Sequence, residues 1–373
     1  MMPMKMTPMT LWHREQGAHM SAFAGYEMPM QYTSIRDEHH AVRTTVGIFD
    51  LSHMGEVRIT GPSAKTWVHE LVTNDVQHLE EGGICYTTMC TLTGGIIDDL
   101  LVYSESNESM YLVINASRTA EDIDWMRQNA DETIRIENLS EETALIAVQG
   151  PHAAAVLEAL GLAPASQPHH FCFVDTDLQG IPVRVSRTGY TGEDGFELYT
   201  AGNQALNLWE ACVALLSEHD GRLCGLGARD ILRLEAGLRL YGSDMDTTNS
   251  PYDTGLAWTV KLNKEAFIGQ DALRNIHDAN THSAFIGLRC SGRTIPRHGN
   301  AVLHDNVRIG TITSGGFSFS LGYPIATARI DHEHAKLPTY DIAIRDTVET
   351  AERVAIPFYR RSQSQSKEES RGK

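Results

Sequence analysis

Residues 94–103 read GGIIDDLLVY. Two glycines open the stretch, a β-prone apolar run follows, and two adjacent carboxylates, Asp98 and Asp99, sit in its middle. The run asks for a protein interior, whereas an unpaired buried charge is expensive. In a strand, successive side chains point to opposite faces. Asp98 then shares a face with Leu100 and Val102, and Asp99 shares the other with Ile97, Leu101 and Tyr103. Neighbours on opposite faces do not form one acid–base pair. One suits an exposed or salt-bridged position and the other a pocket, and periodicity alone does not choose between them.

The strand sits in a meander. Residues 86–90, 96–103 and 110–115 read as strands joined by the short connections TLTGG and SESNES. Upstream, 7–18 and 38–45 read as helices, 55–59 as a strand, and 62–72 as a helix with proline near its start. Downstream, 118–129 and 151–160 are helical, and 181–187 and 196–200 are strands joined by a glycine-rich loop. Helices follow at 204–217 and 228–240, the second ending at Gly242. After about residue 280 the texture becomes short β segments (AFIGLRC, AVLHD, RIGTIT, YDIAI, RVAIPFY), which predict a small barrel or sandwich. The last residues, SQSQSKEESRGK, form a polar stretch expected to be disordered.

The chain has 373 residues, enough for two or three domains, with 42% apolar and 21% charged residues. A net charge of −17 repels nucleic-acid phosphates. The start, MMPMKMTPMT, has neither a signal-peptide core nor an arginine-rich amphipathic pattern. No apolar run reaches the roughly 18 residues of a membrane span. The six cysteines form no CxxC pair and read as reduced thiols, so the cytoplasm is the expected compartment, with neither nucleic acid nor membrane as partner.

Two further stretches carry candidate chemistry. In SRTGYTGEDGFELY, residues 186–199, Tyr190 lies in a glycine loop and Glu197 in the apolar strand after it. A carboxylate there matches a ligand offering two parallel N–H donors, as a pterin or guanine edge does. In GLGARD, residues 225–230, glycines precede a helix whose Arg229 and Arg233 share a face, but no phosphate-loop spacing is present. The histidine pairs and HEH lack HExxH or finger spacing, so no metal is expected.

Taken together, the phrases FAGYEMPMQY, GIFDLSHMGEVRITGP, LVTNDV, GGIIDDLLVY, LIAVQGP, SRTGYTGEDGFEL, GLGARDILRLEAGLRLYGSDM, GLAWTVKLNK, ITSGGFS and PFYRR resemble the aminomethyltransferase family, the T-protein of the glycine cleavage system, over about residues 7–361. The resemblance implies an α+β multidomain fold: two interleaved α/β subdomains around a central channel in residues 1–278, the meander near 52–138 being one, and a C-terminal β-barrel in 279–361, with 362–373 as the tail. It implies transfer of a one-carbon unit from the aminomethyl-lipoyl arm of H-protein to tetrahydrofolate, giving 5,10-methylenetetrahydrofolate, ammonia and dihydrolipoyl H-protein. It also implies that Asp99, the second aspartate of the GG-x-x-DD motif, is catalytic. Met54, Tyr86, Tyr103, Asn115, Tyr190, Glu197, Arg229 and Trp258 are implied to line the folate site, with Glu197 gripping the pterin.

The chain departs from the family at Phe171, where tyrosine is common, and at GGFSFSLG, where FSPTLG is usual. Folate-dependent demethylases and dehydrogenases share the scaffold, but the run of T-protein phrases argues against them. A folate-binding iron–sulfur assembly factor would need a thiol where KEAFIGQD, residues 264–271, has Ala266.

Overall fold

The computed structural model describes residues 4–361, so the polar stretch 362–373 lies outside the described residues. A five-stranded sheet takes its strands in the order Ile84–Cys90, Ile96–Ser106, Ser109–Ile114, Gly55–Thr60 and Arg135–Asn138. The meander is there, with longer strands than its connections predicted: Ser106 pairs with Ser109, so most of SESNES is strand around a turn at Asn107 and Glu108.

A six-stranded sheet runs Phe173–Leu178, Ile181–Ser186, Gly195–Ala201, Thr143–Gln149, Gly47–Asp50 and Arg222–Leu223. Its strand Gly47–Asp50 comes before the five-stranded sheet in the chain and the rest mostly after it, so the two sheets interleave. The C-terminal segments close into a six-stranded barrel, Ala284–Cys290, Tyr323–Ile330, Val307–Ser318, Ala301–His304, Thr339–Ile344 and Thr347–Val354.

The cores follow from these layers. Helices Ala153–Ala159 and Ala205–Ala214 bury Val156, Leu157, Leu208 and Trp209 with Ile146, Val148, Phe196 and Leu198 of the six-stranded sheet. Helices Ala64–Leu71 and Thr119–Asn129 cover the five-stranded sheet in the same way. Residues from both sheets, among them Phe49, Leu145, Tyr199, Tyr103, Tyr111 and Val113, meet in a third cluster between them. This layering of sheets and helices around buried apolar faces is a mixed α/β architecture.

Several local expectations are corrected. The first helix is Thr10–Glu15, because Gly17 turns at φ +74° and the chain then enters a hairpin, His19–Phe23 with Tyr26–Gln31. Its two-residue turn, Ala24 and Gly25, has positive φ at both positions. The next helix begins at Ile35, capped by Ser34, whose hydroxyl accepts from the Asp37 N–H.

The helix expected at 228–240 is Leu226–Glu235. It ends at Gly237, φ +69°, with the Leu238 N–H on the Arg233 carbonyl and the Gly237 N–H on that of Leu234, so the Schellman glycine is not Gly242.

The opening stretch is corrected too. Its pairing with Ile84–Cys90 slips by one residue between Met89 and Cys90, a β-bulge that leaves Ile97 unpaired. Ile97 therefore packs with Leu100 and Val102 under the helices instead of sharing the Asp99 face. Gly94 makes the turn at φ +86°, and a Cβ on Gly95 would stand 1.9 Å from the Thr247 carbonyl oxygen. The two glycines are thus required by a left-handed turn and by a close backbone approach.

Candidate functional site

Asp99 keeps partial exposure on the Tyr86 side of its sheet. The Tyr86 hydroxyl donates to its Oδ2 at 2.8 Å, and the Asn115 amide donates to its Oδ1 at 2.8 Å. Burial, and next the charge of Asp98, push its carboxyl up to about 7, although both hydrogen bonds oppose the rise. The Tyr86 ring stacks on Trp258, with centroids 5.7 Å apart, and Trp258 is 56% exposed at the outer edge of the group.

Asp98 is fully buried and has no ion-pair partner among the described residues, so it is not the exposed or salt-bridged member that strand alternation led one to expect. It is not independent of its neighbour. The Asn115 backbone N–H and side-chain amide donate to it at 2.9 and 2.8 Å, and that amide also serves Asp99. Strand alternation alone separates the two carboxylates, whereas Asn115, at the end of the adjoining strand, ties them together.

Glu197 is buried on strand Gly195–Ala201. One oxygen accepts from the Thr188 hydroxyl, and Oε1 has no hydrogen-bond partner among the described residues. Burial raises its proton affinity, while Thr188 and the Arg229 charge pull the other way. Tyr103 touches Glu197 only through a chain of hydroxyls: Tyr103 to Ser186 at 3.3 Å, Ser186 to Thr188 at 2.8 Å, then Glu197. Tyr103 itself is fully buried and bonds Tyr199 at 2.8 Å.

The Arg229 guanidinium lies 4.6 Å over the Tyr190 ring and has no hydrogen-bond acceptor or ion-pair partner among the described residues. It is a half-buried cation. Tyr190 donates to the Arg239 carbonyl and stands within electrostatic reach of both Asp99 and Arg229, which links the Asp99 and Glu197 ends. Met54 is half-buried against the cluster between the sheets.

Sequence reasoning passed over Arg239 and Thr188. The Arg239 side chain donates to the carbonyls of Gly237 at 2.6 Å and Thr254 at 2.9 Å, packs on Phe285, and sits near Tyr86 and Asp99. A half-buried arginine bonded only to carbonyls has no sequence spacing that announces it. Thr188 was legible as a hydroxyl two residues from Tyr190 in the same loop.

Of the departures, Phe171 is 36% exposed at φ +55°, its ring against His170. The altered loop supplies Ser318 and Ser320, whose hydroxyls donate to Glu235 at 2.6 and 2.8 Å. Glu235 also accepts from His39 at 2.9 Å and Arg43 at 2.7 Å, so the loop fastens the barrel to two helices. Among the described residues no group of three or more His, Cys, Asp or Glu is arranged to hold a metal ion. No helix there is long and apolar enough to cross a membrane.

The family model described as GCVT N-terminal domain matches residues 9–264, and that described as glycine cleavage T-protein C-terminal barrel domain matches 284–360. The chain is 42% identical over 363 residues to an aminomethyltransferase of Halalkalibacterium halodurans, covering 97% of this chain and 100% of that protein. It is 40% identical to the Bacillus subtilis aminomethyltransferase, covering 96% and 100%. The crystal structure of glycine cleavage system aminomethyltransferase T from Bartonella henselae superposes with a TM-score of 0.89 at 30% identity, covering 95% of this chain and 98% of that one. With both halves matched in order and the fold shared along nearly its whole length, the chain belongs to the glycine cleavage T-protein, or aminomethyltransferase, family.

Proposed function

We infer that this protein is the aminomethyltransferase of glycine cleavage, moving a one-carbon unit from the aminomethyl-lipoyl arm of H-protein to tetrahydrofolate in the cytoplasm, with release of ammonia. We also propose the division into an interleaved folate-binding region, 1–278, and a barrel, 279–361. The observation that carries the site assignment is Asp99, a carboxyl pushed up to about 7 yet oriented by Tyr86 and Asn115.

The residues fit a folate. Glu197 offers a free oxygen beside one already fixed by Thr188, suited to a pterin edge with paired N–H donors. Arg229 offers unused donors beside it, and Tyr190, Tyr86 and Trp258 supply aromatic faces between Glu197 and the outer edge. Asp99 is then placed to take a proton from a folate nitrogen as it attacks and to deliver one as ammonia leaves. Such general acid–base help is worth about 10²–10⁴ in rate when the proton affinity lies near the working pH. Tyr86 and Asn115 keep the carboxyl in line, which adds positioning.

The assembly-factor reading has no support here: beside Ala266, the Lys264 ammonium donates to the Val72 and Asn74 carbonyls at 2.6 and 3.0 Å, a purely structural set. The test is incubation of purified protein with aminomethylated H-protein and tetrahydrofolate. Ammonia and 5,10-methylenetetrahydrofolate are expected, and no product above the enzyme-free control would sink the assignment. Asp99→Asn should lose most turnover and Asp98→Asn much less.

A further inference from the structure

Gln149 closes strand Thr143–Gln149, where it pairs with Gly195 on one side and Gly47 on the other, and it is buried. Its amide nitrogen donates to the Thr188 carbonyl at 3.1 Å and to the Phe196 carbonyl at 3.4 Å, and its amide oxygen accepts from the Thr191 hydroxyl at 2.9 Å. Both ends of the amide are therefore in use. The same side chain accounts for two glycines of TGYTGEDG, residues 188–195. Neither Gly189 nor Gly195 has a positive φ, so backbone freedom does not demand them. Space does: a Cβ on Gly189 would stand 2.0 Å from the Gln149 amide oxygen, and one on Gly195 would stand 2.4 Å from its nitrogen. The three heavy atoms nearest the Gly189 Cβ all belong to Gln149. The loop is folded around one buried amide.

We propose that Gln149 is a positioning residue for the folate: its amide sets the shape of loop 188–195, and through it the places of the Glu197 carboxylate and of the Tyr190–Arg229 stack. The two carbonyls it holds lie on either side of that carboxylate in the chain. Thr188 gives its hydroxyl to Glu197, and Phe196 immediately precedes it. Between them Tyr190 lies under the Arg229 guanidinium at 4.6 Å. The role is separate from the proton chemistry, since Asp99 is held on the other sheet by Tyr86 and Asn115. Replacing the amide by an apolar side chain of similar length leaves two carbonyls and a hydroxyl without their partner, and the loop is then free to move. The grip on the pterin loosens while the acid–base group stays in place. A grip that acts alike on ground state and transition state appears in KM and leaves kcat unchanged.

The inference rests on the proposed function, in which Glu197 meets the pterin, so a second readout is independent of turnover. In Gln149→Met the KM for tetrahydrofolate should rise about tenfold to a hundredfold, with kcat at saturating folate within about threefold of the wild type. Thr191→Val removes one of the three bonds and should move KM the same way by about two- to tenfold. A merely structural role would lower kcat through the folded fraction and leave KM in place in both variants, which would overturn the proposal. The second readout is amide hydrogen exchange of residues 188–195. Gly189→Ala, which displaces the amide, and Gln149→Ala should each speed it. Gly189→Ala added to Gln149→Ala should do little more, because the atoms that the methyl strikes are gone. Additive effects, or exchange unchanged in both single variants, would also overturn it. A wild type whose loop follows this pattern but which neither binds nor turns over tetrahydrofolate would instead refute the proposed function.

Discussion

Asp99→Asn separates the proton chemistry of the site from its packing, and the two respond in opposite directions. The amide is close in shape to the acid. Its oxygen meets the Asn115 donor and its NH₂ meets the Tyr86 hydroxyl, which turns to accept, so neither partner is left unsatisfied. What the variant removes is the ionised state. The folded carboxyl is raised to about 7 from an ordinary value of 3.8, so between those two values the folded state binds the extra proton. Stability therefore falls as pH rises through that window. Unscreened, the cost is about 4 kcal/mol above the window, and with the partial exposure of Asp99 taken into account it is about 2–3 kcal/mol. Asp99→Asn should consequently be more stable than the wild type by that amount at mildly alkaline pH, with the gap closing toward about pH 4. Urea denaturation of both proteins at the two pH values measures it, and turnover of the variant should be nearly absent at each. Equal stability at alkaline pH, or the same gain at both, would refute the reasoning.

Other changes test other parts of the molecule. Arg43→Ala removes the arginine that, with His39, holds Glu235 down to about 2 against its burial, leaving His39 and the two serines, and should cost about 3–5 kcal/mol in urea denaturation. Gly95→Ala drives a methyl into the Thr247 carbonyl and should cost about 1–3 kcal/mol or more, lowering the thermal midpoint. Glu197→Gln keeps the Thr188 bond but loses the charge opposite a donor pair, and should raise the KM for tetrahydrofolate by tenfold or more with a small effect on stability.

The meander, the helices of strong amphipathic period and the β-rich end were legible because each writes its period into a short window. The hairpin at 19–31 was missed because its turn is Ala24–Gly25, without the asparagine or aspartate that usually announces positive φ. The bulge at Ile97 was missed for a different reason: it is a property of pairing with a second strand, and no single strand carries it. Asp99 and Glu197 stood out as carboxylates in apolar runs. Tyr103 was placed on the correct face, yet that face at its end of the strand is the interior between two sheets. Arg239 belongs to a loop whose sequence reads as ordinary surface, and only the packing brings it near Asp99. The coupling of Asp98 to Asp99 through Asn115 was likewise beyond alternation, since it needs a third residue from another strand.

Of the five tryptophans, Trp67 and Trp209 are buried, Trp12 and Trp125 are half-covered, and Trp258 alone lies mostly open. It stacks on the tyrosine that holds Asp99. The molecule therefore carries its own optical gauge. Any occupant that covers the indole, and any proton that loosens the Tyr86 bond, alters the most exposed of the five indoles, so titration of unlabelled protein reads occupancy and protonation at the same place.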